Sequence, residues 1–308
     1  MSKLGSTTKI LTAALTGATI LAGLVVIDRY FSTRPAEPND VTDVSPSRSA
    51  SADATAIPNF APDTIVSWFP DRAEGDDFYP PESGPGPVQS DPAHPYVTNG
   101  EGQQPTYRVA DLSNPILQPW VVAQMKTAND EVLAGKVPFI ARERCWPAGV
   151  PAFQVFGRVR PVYFWQTPEV VYIVHRGDAQ VRRVYMNVPH STDLKPSWYG
   201  ESVGRYEGDE LVVDTIGLND RTFVDNYRTP HTEQLHVIER FKLINGGNTL
   251  HVDVTVEDPG AFTMPWRAVQ QFKLYKEGGF HESVCAENNV DFFHYEVRPM
   301  PQAEMPDF

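Results

Sequence analysis

Cysteine, basic charge and the familiar metal-binding motifs are all scarce in this chain. Its two cysteines, Cys145 and Cys285, each lack a second cysteine at metal-ligand spacing, which excludes a zinc knuckle. Lysine and arginine together number 26 against 39 aspartates and glutamates, and the formal net charge is −13. Because nucleic-acid binding needs a basic surface, this balance argues against a nucleic-acid partner. It argues equally against general adhesion to anionic lipid.

The two cysteines have a second interpretation. In an exported chain a pair of thiols more often forms a bridge than stays free, so we predict a disulfide between Cys145 and Cys285. A bridge across so long a loop stabilises a fold by roughly 2–4 kcal/mol on the chain-entropy account. Two free, buried thiols are the alternative.

The first 30 residues have the pattern of a membrane-targeting segment. Two lysines precede an uncharged run over residues 10–27, and a charged pair closes it. The run is at the short end of a membrane span and has no small residues at a cleavage position, so a signal-anchor is expected, with a cleaved signal peptide as the alternative. Lysines on the N-terminal side predict that the remainder is exported. The protein would then face the periplasm, anchored in the cell envelope only by residues 10–27 or released after cleavage.

Composition separates a tail from a folded domain. Residues 31–106 are rich in proline, serine and alanine, and many of the chain's 28 prolines lie there. The first part of this stretch has too little apolar surface to offset the entropy of ordering, so it is interpreted as a linker. Its later part adds aromatic residues and is interpreted as extended chain on a surface. Residues 107–308 are the candidate domain.

The domain is predicted to be mainly β, with one flanking helix at its N-terminal side. Capping residues near Pro115, apolar positions at helical spacing and Gly135 as a terminator mark the helix. From Phe153 onward the apolar pattern changes to period two, with tight polar turns and no long helices between the runs. These features predict an antiparallel meander that closes as a lipocalin-like barrel. The candidate strands are Phe153–Val159, Val162–Gln166, Val170–His175, Gln180–Met186, Ser202–Tyr206, Leu211–Thr215, Leu235–Leu243, Leu250–Val256, Val269–Leu274 and Phe280–Cys285.

The part of the chain around residues 190–240 gathers the side chains that carry out acid–base chemistry. A cavity with apolar walls can move the pKa values of histidines and carboxylates towards neutrality. We expect His231 to share one cavity with an acid of this region, although turn hydrogen bonds alone would also explain acids in its loop. The catalytic candidates are His190, His231, His236, Asp214, Asp220, Glu233 and Tyr199, and the ligand-binding candidates are Arg240 and Trp198, with Arg183 as an alternative to Arg240.

Two other kinds of site receive less support from the sequence. A metal site built from His231, His236 and a third ligand is an alternative, but the chain has no HExxH or CxxC motif, so chemistry without a metal or other cofactor is favoured. Gly200–Gly204 spells GxSxG around Ser202. That motif exposes a nucleophile only at a strand–turn–helix elbow, and the flanking residues are β-type, so a hydrolase elbow is rejected.

The central motif also resembles a large group of exported, functionally uncharacterised bacterial β-proteins. The likeness is carried by Pro196–Gly200, Ser202–Gly204, Glu207–Gly208–Asp209, Leu211–Thr215, Asn219–Asp220 and His231, and it extends over roughly residues 110–308. Tyr206 stands where tryptophan often precedes the Glu-Gly-Asp turn. The resemblance implies export and a β-rich fold. It implies no reaction and no catalytic residues.

The sequence therefore favours an exported β-barrel domain that holds a small organic molecule. In its enzymatic form it would act by acid–base chemistry of the isomerase, lyase or hydrolase type. The alternatives are a lipocalin-like carrier without turnover and an interaction module for another envelope protein. Convergence of histidines and acids at a pocket favours the enzyme, an aliphatic pocket favours the carrier, and a filled barrel with an exposed aromatic patch favours the module.

Overall fold

A computed structural model describes residues 57–62, 66–71, 77–96, 108–136, 145–155, 161–177 and 180–276. The expected targeting segment, most of the linker, Cys285 and the candidate strand Phe280–Cys285 lie outside these ranges. None of the helices in the described ranges is long and apolar enough to cross a membrane.

The described part of the domain is a closed barrel of nine strands in chain order. Its strands are β1 (Ser67–Pro70), β2 (Val162–Gln166), β3 (Val170–His175), β4 (Gln180–Met186), β5 (Glu201–Glu207), β6 (Glu210–Ile216), β7 (His236–Ile244), β8 (Thr249–Glu257) and β9 (Trp266–Tyr275), and β9 pairs with β1. The predicted bounds of β2, β3 and β4 are confirmed, and β5–β9 lie within a few residues of prediction. The mainly β class and the closed barrel are therefore confirmed.

Alternation of side chains sets the inside and outside of the barrel. On β8, Leu250, Val252, Val254 and Val256 are buried, and the intervening polar residues are partly exposed. Successive side chains of a strand point to opposite faces, so the aliphatic face fills the interior and the polar face meets solvent.

One pair of strands departs from the predicted antiparallel meander. β4 and β5 run parallel, from the pair Val184 and Ser202 to the pair Met186 and Gly204. Parallel neighbours need a crossover of about a dozen residues. Residues 187–200 supply it, so the short-range turn pattern that predicts hairpins elsewhere does not apply here.

Two further corrections concern short segments. Phe153–Val155, the start of the predicted strand Phe153–Val159, lies in a 3-10 turn over Ala152–Val155, and all four residues of the turn are buried. Its apolar residues imitate period two, but the backbone bonds from Phe153 to Gly149 and from Gln154 to Pro151 close turns. Ser67–Pro70, expected to be loosely extended, is strand β1, because its backbone completes the edge of β9.

The flanking helix α1 spans Pro119–Leu133, so it begins after the predicted start near Pro115. Proline suits the first turn of a helix, where its missing N–H is not needed. Val121 and Met125 face the core, and the Asn129 side chain bonds both the N–H and the carbonyl of Ala110.

Large side chains fill the barrel interior. The ring centroid of Phe60 lies 5.1 Å from that of Phe164 and 6.5 Å from that of Phe241. The buried indole of Trp68 donates to the carbonyl of Phe60 over 2.8 Å. The buried 3-10 turn also packs inward, where the carbonyl of Gln154 accepts from Gln270. The candidate site therefore lies at a junction of strands rather than along the barrel axis.

Candidate functional site

The parallel junction of β4 and β5 creates a pocket of about 490 Å³. The two strands pair only from Val184 onward, so the first half of β4 pairs with β3 on one side and faces the crossover loop on the other. We call this the seam pocket. Its lining residues are Gln180–Arg183, Tyr185, Ser191, Asp193–Lys195 and Ser197–Glu201.

Two glycines hold the crossover loop against the end of β6. Gly200 has φ +62° and Gly217 has φ +69°, which glycine adopts without strain. A side chain at Gly200 would collide with the carbonyl of Ile216, and one at Gly217 would collide with Leu194. Backbone bonds from Ser197 to the carbonyl of Gly217 and from Asn219 to that of Ser197 complete the attachment. The loop wall of the pocket is therefore built on the sheet.

A chain of carboxylates and imidazoles lies on the outer face beside the pocket. Asp214 Oδ1 is 2.9 Å from His236 Nε2 and 3.1 Å from His190 Nε2. The other ring nitrogen of His190 is 3.1 Å from Glu201 Oε1, and that of His236 is 3.3 Å from Glu257 Oε2. We call these five residues the carboxylate–histidine chain.

Strand register and the crossover loop assemble the carboxylate–histidine chain from five segments, namely the crossover and strands β5, β6, β7 and β8. His236 and Glu257 are directly paired across β7 and β8. Asp214 is paired with Ile238, two residues along β7 from His236, so both polar side chains are on the outer face. The crossover loop carries His190, and it leads into β5 so that His190 lies beside Glu201.

The carboxylate–histidine chain shifts the pKa values of Asp214 and His236. The hydrogen bond from His236, with that from His190, holds the pKa of Asp214 below its ordinary value of 3.8, although burial opposes this. The same bond to Asp214 raises the pKa of His236 above 6.5. The His236 ring lies between Asp214 and Glu257, and only the protonated ring can donate to both. The arrangement therefore favours the protonated form of His236.

Glu201 connects the carboxylate–histidine chain to the seam pocket. It lines the seam pocket and accepts two bonds from Ser191, from Oγ over 2.5 Å and from the backbone N–H over 2.7 Å. Burial would raise the pKa of Glu201, but the bonds from Ser191 and His190 outweigh it and lower the pKa. A carboxylate of lowered pKa is a weak base, so Glu201 by itself abstracts a proton poorly.

A buried polar cluster lies behind the pocket, inside the barrel. Arg182 forms an ion pair with Glu239, and these side chains are 3% and 0% exposed. Arg182 also donates from Nε to Ser202 Oγ over 2.9 Å and from Nη2 to Thr215 Oγ1 over 2.6 Å. Gln154 donates to Glu239 over 2.5 Å. Because Arg182 also lines the seam pocket, this cluster forms part of its wall.

The structure brings some of the predicted site residues together. His190, His236 and Asp214 belong to the carboxylate–histidine chain, and Tyr199 and Trp198 line the adjacent pocket. Trp198 is braced by the ring of Trp146, with centroids 5.2 Å apart.

Other predicted residues lie apart from the pocket. His231 is 3% exposed and does not line it. The His231 ring donates from Nδ1 to the carbonyl of Thr232 over 3.0 Å and accepts at Nε2 from Thr222 over 2.9 Å. Burial lowers its pKa, although Asp258 and Asp220 oppose the shift. The lowered pKa favours the neutral ring, in which Nε2 is the acceptor, and a catalytic role for His231 stays a prediction.

The remaining candidates are on the surface. Asp220 and Glu233 are exposed. Arg240 pairs with Glu207 and Glu210 at 2.9 Å each, at the hairpin between β5 and β6. Its predicted ligand-binding role is likewise untested, and Arg183 is the alternative that lies at the pocket.

Sequence reasoning missed Arg182, Ser191 and Glu201 as site residues. A usable signal existed for Arg182, which alternates with Val184 and Met186 and is therefore on the inward face of β4. Glu201 and Ser191 become site residues only through the crossover, which no local pattern indicates.

In the portion of the chain that the structure describes, no group of three or more histidine, cysteine or acidic residues has the arrangement of a metal site. Compared with known proteins, the chain matches no protein-family model and no curated protein. The described structure is a closed nine-stranded barrel with a pocket at its parallel strand junction, next to the carboxylate–histidine chain.

Proposed function

We propose that this protein is an exported barrel that binds a small organic molecule in the seam pocket and acts on it by acid–base chemistry without a metal. One observation carries the proposal. Glu201 is at once a wall of the pocket and the terminal member of the carboxylate–histidine chain.

The pocket has the dimensions of a small-molecule site. Its volume of about 490 Å³ falls within the usual range of roughly 300–1,000 Å³. Trp198 and Tyr199 offer ring surface, while Ser191 and Glu201 offer polar atoms. A mixture of aromatic walls and a few fixed polar groups is typical of ligand pockets.

The chemistry follows from protons held near the pocket. His190 bonds Glu201 through Nδ1 and Asp214 through Nε2. When the ring is neutral with its proton on Nε2, a proton accepted at Glu201 can pass to Nδ1, and the imidazolium so formed donates to both carboxylates. Tyr199 is the proton donor proposed on the pocket side. General acid–base catalysis of isomerase, lyase or hydrolase type uses such an acceptor and donor.

Export and its consequences are part of the same proposal. The lysines before residues 10–27, the two-cysteine composition and the resemblance to exported β-proteins support it. The protein would be periplasm-facing, attached to the membrane only by that N-terminal segment, and would have a small molecule rather than nucleic acid as its partner.

A carrier without turnover is the second candidate. The lowered pKa values of Glu201 and Asp214 favour it, because both carboxylates are then weak bases. In that case the carboxylate–histidine chain would only fix the crossover loop to the barrel.

Ligand screening followed by turnover assays tests the proposal. Full-length protein is screened for thermal stabilisation by small organic molecules, and binders are located by NMR perturbation of Trp198 and Tyr199. Each binder is then followed for conversion with wild type and with His190→Gln. The control is His251→Gln, an outward histidine of β8 that contacts Asp253 at 3.3 Å and does not line the pocket.

Three results are distinguishable. Conversion that His190→Gln abolishes and His251→Gln retains supports the enzyme. Binding at the pocket without conversion of any binder leaves the carrier. Binders that perturb only residues outside the pocket overturn both.

A further inference from the structure

We propose that the molecule bound in the seam pocket is an organic carboxylate, held by Arg182, Arg183 and Lys195. This inference rests on the proposed function only in that the seam pocket takes a small molecule, and it requires no turnover.

The first observation is a concentration of positive charge. Arg182, Arg183 and Lys195 all line the pocket, whereas Asp193 and Glu201 are its acidic members. Because Glu239 already neutralises Arg182, the cations left to a ligand at the pocket are Arg183 and Lys195, on a chain whose net charge is −13.

The second observation is that two of these cations lack ion-pair partners. Neither Arg183 nor Lys195 forms an ion pair within the described ranges, and both are exposed. The cations of β7 behave differently. Arg240 pairs with Glu207 and Glu210, and Lys242 is 3.2 Å from Asp209. The pocket cations are thus available to a ligand.

The third observation is independent of surface charge. The Arg182 side chain is 3% exposed, and its Nη1 is buried with no hydrogen-bond partner in the described structure. Its Nε and Nη2 are fully engaged by Ser202, Thr215 and Glu239. Buried donors are rarely left without an acceptor, and a guanidinium donor is best satisfied by an oxyanion.

The remaining wall indicates the body of the molecule. Tyr185, Trp198 and Tyr199 line the pocket beside the cations. Aromatic rings pack well against the flat or apolar part of a small molecule. A carboxylate attached to a ring or a short apolar body satisfies both walls, and benzoate and phenylacetate are suitable probes.

The test compares each acid with its uncharged amide. Benzoate is paired with benzamide, and phenylacetate with phenylacetamide, and affinity for full-length protein is measured by NMR perturbation of pocket residues. The double variant Arg183→Gln/Lys195→Gln changes only exposed side chains, so folding is expected to be retained. Arg267→Gln, an exposed arginine of β9 that does not line the pocket, is the matched control. The acids should bind at least tenfold more tightly than the amides. The double variant should remove that difference and the control should keep it.

The contrary outcomes separate this inference from the proposed function. Equal binding of acid and amide at the pocket, or an unchanged preference in the double variant, overturns the carboxylate and leaves the pocket. Preference for phenyl phosphate over benzoate does the same. Loss of all perturbation at the pocket, with these probes and with the wider library, rejects both proposals.

A crystal structure with bound benzoate tests Arg182 without a destabilising substitution. A carboxylate oxygen within hydrogen-bond distance of Nη1 supports its role. An ordered water that joins Nη1 to the unpartnered Oε1 of Gln154, in both free and bound crystals, would exclude Arg182 from ligand binding.

Discussion

His236 Nε2 lies 2.9 Å from Asp214 Oδ1, and this contact joins β7 to β6 on the outer face of the barrel. Both side chains are about a third exposed, at 29% and 31%. The bond therefore acts where solvent still reaches, and its strength should follow the protonation of both groups.

The first prediction is a pH-dependent contribution of this pair. His236 has a raised pKa, so its contribution is complete below 6.5 and is lost as pH rises through the folded-state pKa. Asp214 has a lowered pKa, so its contribution is present above 3.8 and is lost as pH falls through the folded-state value. The variant Asp214→Asn should cost about 0.5–1 kcal/mol near pH 6 and less at pH 9. Urea unfolding of wild type and variant at both pH values measures this difference in the free energy of unfolding.

NMR titration should show a lower pKa for His236 in the variant, and an unchanged pKa would contradict the assignment.

The second prediction concerns the buried ion pair of Arg182 and Glu239. Glu239→Gln leaves the guanidinium without its counter-charge in the interior, and removal of one partner of such a pair destabilises by about 3–5 kcal/mol. Glu210→Gln makes the same chemical change at a partly exposed pair with Arg240, and should cost at most about 1 kcal/mol. Denaturant midpoints of the two variants decide the matter. Equal losses would mean that the interior pair is solvated.

The third prediction assigns His231 a structural role in addition to any other. Both of its ring nitrogens are bonded in the interior, so His231→Ala should destabilise the fold by about 2–3 kcal/mol. Burial lowers the pKa of His231, so the wild type should lose stability as pH falls below 6.5 towards the folded-state pKa, and the variant should lose less over that range. His251→Ala, on the outer face, should be nearly neutral in stability.

The fourth prediction is the Cys145–Cys285 disulfide. Non-reducing peptide mass spectrometry of freshly isolated protein should show the two peptides linked. Reduction or a Cys285→Ser substitution should lower stability by roughly 2–4 kcal/mol. Two thiols that react with an alkylating agent in the folded protein would end the idea.

The fifth prediction is the topology of the chain in the membrane. Alkaline phosphatase fused after Gln103 should be active, because the lysines before residues 10–27 favour a cytoplasmic N-terminus. A reporter that is active only in the cytoplasm serves as the reciprocal control at the same junction. Activity of that reporter alone would reject export.

Much of the barrel could be predicted because its signals are local. β2, β3 and β4 were found at their observed bounds from alternation and turn residues alone. The turn at Ala152–Val155 could not be found in this way, since Phe153 and Val155 imitate a strand and their burial depends on distant partners. β1 was missed for the same reason, because only its pairing with β9 makes Ser67–Pro70 a strand.

The candidate site was predictable in residue type more than in arrangement. His190, Asp214 and His236 were recognised as acid–base candidates. The contact of Asp214 with His236 depends on the register of β6 against β7 across a long intervening loop, and that of Asp214 with His190 depends on the crossover. Glu201 required the crossover. The inward placement of Arg182 and Glu239 could have been predicted from the sequence, since each alternates with apolar neighbours that face the core.

The number of strands has a consequence for where a pocket can form. Strands that alternate up and down around a closed ring return to the starting direction only if their number is even. The described barrel has nine, so at least one neighbouring pair must run the same way. That pair is β4 and β5, where the chain must travel back outside the sheet before it can continue. The parity of the ring thus requires an interruption in its hairpins, and the interruption is where the chain places Glu201, His190 and the three cations.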